Sequence, residues 1–402
     1  MVKEKSDKLI LGTTLALLLF GIVMITSIGV PKSIQLSAPD ILYPNCELEG
    51  VDCYFLFRKH IVRVVIGLIA LVICAKIPYK FWKKIAAPMF IGFILLLLFV
   101  LIFGSSNNTI ARSWIFIFNA SLQPTEYAKL ALIFYLARWL EEKVKDVGSF
   151  QQGFLPFTVI TSAVLLPIVL QPDLGSAMVI TITAVAIYFV AGAKIRHLLL
   201  GAFAAFLIAM MVVVNVTHVR ERFMAYVAID KDCVEDYCWQ SEQANIAVGS
   251  GGLWGKGLTQ GVQKSYWLPQ ASDDFIFAAS AEELGFLRII IVVFGYFIIA
   301  YRGYRIANRA PDRFSMLVAT GITTLITAQA FINIGVNTAL LPVTGITLPL
   351  ISYGGSSILA TLIGIGVLLN ISKHTTAYES HRFHGRGNGR TYYPQRRYNP
   401  ED

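Results

Sequence analysis

Two pairs of adjacent carboxylates, Asp273–Asp274 and Glu282–Glu283, stand within one short stretch of this 402-residue chain, between Trp267 and Gly285. The first pair lies where a polar loop runs into an apolar segment that continues to about Tyr301, and the second pair and Arg288 lie inside that segment. A charge in a membrane span costs roughly 2.5–3.5 kcal/mol or more, so charges there usually face a cavity and do work. A carboxylate at the water-facing mouth of a cavity is a natural general base. If a helix starts near Asp274, Glu282 lies about 80° around it and about 12 Å deeper, and Glu283 points to nearly the opposite side. The competing reading is that Asp273 and Asp274 cap the helix N-terminus.

Other groups have the type and spacing for chemistry. Glu126 and Lys129, three apart, share one helix face. Inside a membrane such a pair is either a structural lock or part of a polar cavity. Arg112, in Ala111-Arg112-Ser113-Trp114, is an outward-side cation suited to an anionic headgroup, or an interface anchor beside the Trp. The short turn Gln171-Pro-Asp-Leu-Gly175 puts Asp173 near the membrane surface, where it can cap the next span. The stretch Asn337 to Ser357, which includes Ser352 and Ser356, packs Pro, Gly, Ser and Thr into and beside an apolar run. Breakers at membrane depth are tolerated where they are buried in protein or line a cavity. Gly255-Lys256-Gly257 lacks the spacing and the Lys-Ser/Thr of a nucleotide loop. The six His are scattered, without zinc-ligand spacing.

The elements that must position these groups are membrane helices. The chain is 55% hydrophobic and 15% charged, against about 25% charged in a soluble domain. Its apolar residues fall into runs of roughly the 20 residues that cross a bilayer. The pattern predicts an all-α, polytopic membrane protein of about ten spans: 9–30, 60–77, 86–104, 125–140, 154–170, 174–192, 198–216, 274–300, 314–334 and 347–371. Lys and Arg concentrate on alternate loops and in the tail, which places both termini in the cytoplasm and loops 31–58, 105–124, 217–273 and 335–346 outside. That asymmetry explains most of the net charge of +9, so nucleic acid is not an expected partner.

Residues 1–375 read as one integral domain with a large outward loop at 217–273, which contains Arg222 and the glycine-rich run Ser250 to Gly261. Residues 376–402, rich in Arg, Gly, Tyr and His, read as a cytoplasmic, disordered tail. Cys46 and Cys53 share the first outward loop and Cys233 and Cys238 the large one, which predicts two local disulfides on the oxidising side; Cys74 sits in a span.

At these residues the sequence resembles the SEDS family of bacterial cell-wall proteins, the FtsW, RodA and SpoVE type, over about residues 10–375. The resemblance is carried by Ala111-Arg112 with Trp114; Gln123-Pro124 with Glu126 and Ala128-Lys129; Gln171-Pro-Asp-Leu-Gly175; and Gly249-Ser-Gly-Gly-Leu253 with Gly255 and Gly257. It continues in Leu268-Pro269 with Asp274-Phe-Ile-Phe-Ala278, Glu282-Glu-Leu-Gly285, and Leu348-Pro-Leu-Ile-Ser-Tyr-Gly-Gly-Ser-Ser357. Thr347 to Tyr353 looks more like the division (FtsW) branch than the elongation (RodA) branch. The resemblance implies a peptidoglycan glycosyltransferase in the bacterial cytoplasmic membrane. Its substrates would be lipid II and the undecaprenyl-pyrophosphate-linked glycan. The family's essential aspartate falls on Asp274, the expected base on the acceptor GlcNAc 4-hydroxyl. Where the family usually has His-Thr before it, this chain has Ser272-Asp273. The leaving pyrophosphate needs cations, for which Arg112, Lys129, Arg222, Lys256 and Lys264 are the outward-side candidates. Glu126, Asp173, Glu282, Ser352 and Ser356 complete the expected substrate-binding set. No ligand cluster marks a cofactor, and a divalent cation (Mg or Mn) could share the leaving-group role. A class B penicillin-binding protein is the implied transpeptidase partner, with other division proteins as regulators. A lipid-precursor flippase and a non-enzymatic transpeptidase scaffold are the rival functions.

Overall fold

The computed structural model describes residues 6–38, 46–104, 113–117, 120–143, 146–227 and 237–384. The elements in chain order are α1 (Lys8–Ile28), α2 (Val30–Ser37), α3 (Phe55–Lys76), α4 (Tyr79–Phe103), β1 (Ile115–Ile117), β2 (Ala120–Leu122), α5 (Pro124–Glu142) and α6 (Leu155–Leu170). They continue with α7 (Leu174–Val190), α8 (Ile195–Asn215), α9 (Thr217–Val227), α10 (Tyr237–Gly251), α11 (Ile276–Leu284), α12 (Phe286–Asn308), α13 (Arg313–Asn337) and α14 (Gly355–His384). The protein is all-α and polytopic; β1 and β2 form a single antiparallel ribbon with Ile115 opposite Leu122.

Each of the ten expected spans overlaps helix over most of its length. Seven helical stretches among the described residues are long and apolar enough to cross a membrane: α1, α4, residues 150–170, α8, α12, α13 and residues 355–375. α7 is apolar but shorter, and α3 and α5 carry charges within their length, among them Arg63, Glu126 and Lys129. α13 and α14 form the centre, each with 83% of its span buried, whereas α8 has 6% buried and lies at the edge. α14 packs along α3, and α13 against α12, α7 and α5. Gly67 of α3 faces Leu362, and Gly366 of α14 faces the backbone of Leu71; small residues let membrane helices approach closely.

Two expectations change. The span 274–300 is not one helix. It breaks at Gly285, whose φ of +76° no helix continues through. The peptide groups freed by the break are taken up by the glycine-rich loop. Lys256 N donates to Glu282 O (3.0 Å), Gly257 N to Glu283 O (2.9 Å) and Phe286 N to Gly252 O (2.9 Å). Gly255, at φ +81°, lies against the backbone of Leu284 and Gly285, where a Cβ would collide. The loop therefore repairs a helix break, as irregular backbone at membrane depth requires. Second, the span expected from 347 starts as helix only at Gly355; residues 347–354 are loop and turn, with Leu350 at φ +70°. At its far end α14 continues to His384, beyond the expected start of the tail at 376, while residues 385–402 lie outside the described set.

Candidate active site

Asp274 sits on the turn that precedes α11. The residue at the helix N-cap is Phe275, which makes no side-chain cap hydrogen bond. The main chain of the turn is held by two asparagines. Asn333 Nδ2 and Asn337 Nδ2, four apart on α13, both donate to the Asp274 carbonyl (2.8 and 2.9 Å). Asn337 Oδ1 accepts from Ala278 N (2.9 Å), and Asn333 Nδ2 also donates to Ile346 O (2.7 Å). From the other side Tyr353 N donates to Ser272 O (3.0 Å). The Asp274 carboxylate is directed at the loop 344–347: a Cβ on Gly345 would stand 3.7 Å from its Oδ2. With Asp274 off the helix, the rotation expected between it and Glu282 does not apply.

Asp273 has a different setting. It forms an ion pair with Lys32 of α2, which also donates to Gln270 Oε1 (2.8 Å). Burial pushes the Asp273 carboxyl up, against the pull of Lys32 and Arg63.

The loop 344–347 is where several expected site residues converge. Asp173 caps α7, accepting from Ser176 N (3.0 Å), and its Oδ2 is buried with no partner among the described residues. Two residues later, Gly175 lies against Ile346 and Thr344, and a Cβ there would stand only 2.7 Å from Thr344 O. The Thr344 hydroxyl is likewise buried and has no partner among the described residues. Lys129 and Glu126 are inside the protein, 2% and 7% exposed, not on the lipid face. Lys129 Nζ donates to Glu126 Oε1 (2.8 Å) and to Gln329 Oε1 (2.9 Å), and Gln329 Nε2 donates to Thr347 O (3.1 Å). Thr347 bonds to Ser357 Oγ (3.0 Å). A continuous polar chain thus links Glu126 and Lys129 to the loop that faces Asp274.

The remaining expected residues are distributed otherwise. Ser352 Oγ accepts from Leu348 N (2.8 Å) and shapes the turn before α14, and Ser356 Oγ accepts from Gln123 N (2.9 Å) at the start of α5. Glu282 and Glu283 are fully buried and face the same loop rather than opposite sides. Glu282 accepts from Lys256 Nζ (2.7 Å), Val262 N (3.0 Å) and Gln263 N (3.0 Å). Glu283 accepts from Lys264 Nζ (2.6 Å), Ser27 Oγ (2.8 Å) and Thr259 N (3.2 Å). Lys256 and Lys264 are therefore engaged with carboxylates. A cavity of about 770 Å³ lies beside this clamp, between α1, α2 and residues 258–266; Asp274 is not on its wall. Cys46 and Cys53 are disulfide-bonded, with Cα atoms 5.8 Å apart. Cys238 is also disulfide-bonded, while Cys233, Arg112 and the side chain of Arg222 lie outside the described residues. Asn333, Gln329, Lys32 and Arg63 are not among the expected site residues. The spacing of Gln329, Asn333 and Asn337 at every fourth residue of an apolar span is the signal that could have found the first two.

The family model for the FtsW, RodA and SpoVE cell cycle proteins matches residues 7–377. The chain belongs to that family. It is 37% identical over 370 residues to the probable peptidoglycan glycosyltransferase FtsW of Geobacter metallireducens, covering 92% of this chain and 95% of that protein. To stage V sporulation protein E of Bacillus subtilis it is 36% identical over 375 residues, covering 93% and 98%. Among solved structures, a chain from a peptidoglycan synthase complex that coordinates polymerization and crosslinking superposes with a TM-score of 0.74 at 27% identity, covering 92% of this chain and 98% of that one. The crystal structure of the rod shape determining protein RodA of Thermus thermophilus superposes with a TM-score of 0.65 at 26% identity, covering 92% and 97%.

Proposed function

We propose that this FtsW/RodA/SpoVE-family protein is a peptidoglycan glycosyltransferase that polymerises lipid II into glycan strands at the outer face of the bacterial cytoplasmic membrane. Asp274 is its general base. The carboxylate takes the proton from the acceptor GlcNAc 4-hydroxyl as that oxygen bonds to the donor's anomeric carbon. The bond from that carbon to undecaprenyl pyrophosphate breaks, and the pyrophosphate leaves with the electron pair. The carrying observation is the mounting of Asp274: its backbone carbonyl is held by Asn333 and Asn337 while its side chain is directed at the 344–347 loop. A base so fixed loses little entropy when substrate arrives. The loop's other neighbours, Asp173 and the Lys129–Glu126–Gln329 chain, set the loop's position.

The names of the relatives favour a division or sporulation role over elongation. The neighbour in a peptidoglycan synthase complex supports a class B penicillin-binding protein as partner. Purified protein supplied with lipid II, its products resolved as glycan strands on a gel, tests the reading. Strands that vanish in Asp274→Ala are expected. Headgroup translocation without strands would favour the flippase reading, and neither product would favour the scaffold.

A further inference from the structure

α3 carries two costly side chains beside this site. Arg63 lies about 12 Å along the helix from Phe55, and its neighbours Val62, Val65 and Ile66 are exposed apolar residues. A guanidinium at such a depth is expensive unless something neutralises it. Among the described residues Arg63 makes no ion pair. Asp273, on which Arg63 exerts a pull, is already paired with Lys32. Arg63 instead stands over the ring of Tyr353, 4.5 Å from its centre. One turn before it, His60 stacks on the same ring at 6.1 Å. His60 is fully buried, and neither ring nitrogen has a partner among the described residues.

The guanidinium also reaches the start of α14. Its Nε would be 2.8 Å from a Cβ on Gly355, so only glycine leaves room for it there. The N–H groups of a first helical turn have no helical acceptor and carry partial positive charge. A cation without an ion pair, a buried imidazole without hydrogen-bond partners among the described residues and a helix N-terminus therefore meet at one point. Tyr353 joins that point to the turn that carries Asp274 through its bond to Ser272 O (3.0 Å). Asp273 feels both Lys32 and Arg63, so the two cations outnumber the one carboxylate and leave a net positive charge to attract an anion.

We infer that Arg63, with His60, Tyr353 and the N-terminus of α14, forms an anion subsite that takes the diphosphate of a polyprenyl-linked sugar. The inference rests on the polymerase reading, in which two lipid-linked molecules must each seat a diphosphate near Asp274. Lys256 and Lys264, by contrast, each have a carboxylate partner in the Glu282–Glu283 clamp.

Calorimetric titration of the detergent-solubilised full chain with geranylgeranyl diphosphate measures the subsite without any need for polymerisation. Arg63→Ala is expected to weaken binding about tenfold or more. Arg63→Lys should recover only part, because a point charge replaces a bidentate fork. Arg63→Gln retains most of the side-chain volume and replaces the Ala variant in the titration if the latter melts early. Inorganic pyrophosphate should compete. Wild-type affinity in a folded Arg63→Gln protein overturns the subsite. So does equal competition by phosphatidylglycerol, which would assign the cation to an ordinary lipid headgroup. Asp274→Asn should bind the probe normally. If Asp274→Asn also polymerises lipid II, the general-base reading falls while the subsite stands.

Discussion

The two carboxylate pairs are close in sequence and built for opposite tasks. At Glu282 and Glu283 each carboxylate meets a lysine and main-chain N–H groups, and both side chains are fully buried. That is a clamp: it fixes the glycine-rich loop against the helix break and, through Ser27, against α1. At Asp273 the carboxylate pairs with Lys32, and at Asp274 the main-chain carbonyl accepts from Asn333 and Asn337. Residue type does not separate a structural acid from a reactive one here. The distinction lies in placement: the two glutamates tie a loop to a helix break, whereas Asp274 lies on a turn that faces residues 344–347.

The sharpest way to break this comparison is to neutralise one acid of each pair and read the same two assays. Asp274→Asn is expected to lower lipid II polymerisation by about a thousandfold, within the range for a lost general base, with no change in melting temperature. Glu283→Gln is expected to do the reverse in rank. Leaving Lys264 buried beside a neutral amide costs about 3–5 kcal/mol, seen as early melting and as rapid hydrogen exchange across residues 252–264. Replacing the pair together, Glu283→Met with Lys264→Leu, should restore most of the melting temperature. If Asp274→Asn melted early while Glu283→Gln stayed folded and inactive, the two roles would have to be exchanged.

What the sequence disclosed follows the same line. The positions of the spans are legible because lipid demands apolar length, and α8, apolar from Leu198 to Val214 and at the edge, is the simplest case. α13 is legible as a span, but its polar ladder does not announce itself as the mount of the site. Gln329 and Asn333 fall within the expected span and Asn337 within an expected loop, although the three are spaced to share one face. The break at Gly285 is hidden because the hydrophobic pattern runs straight through it. What imposes the break is main-chain pairing with residues 252–257, a contact between segments far apart in the chain. The clamp is hidden for the same reason: Lys256 and Lys264 have the character of outward cations until the loop folds back onto the glutamates.

A third substitution probes the chain that joins α5 to the loop facing Asp274. Lys129→Glu is expected to reduce both melting temperature and polymerisation, since it places two carboxylates together in a site 2% exposed at Lys129. The swap Glu126→Lys with Lys129→Glu should recover the melting temperature, because Gln329 can turn its amide to serve either charge. Recovery of polymerisation along with it would make the pair a lock. Stable protein without polymer would make Lys129 a substrate contact.

The smallest effect is expected at Asp273, the member of the reactive pair that the structure assigns to Lys32. Its side chain is 17% exposed and that of Lys32 30%, so the cost of withdrawing the carboxylate from water offsets much of the attraction and the net contribution of the pair is small. Asp273→Asn and Lys32→Met should each leave the protein folded and change polymerisation by only a few-fold. The two changes together should add to less than their sum, because each alone already removes the pair. The double-mutant cycle is therefore the measurement, read first in melting temperature and then in rate. A dead Asp273→Asn beside an active Asp274→Asn would move the base by one residue. It would also mean that Lys32 guards the reactive carboxylate and does not merely neutralise its neighbour.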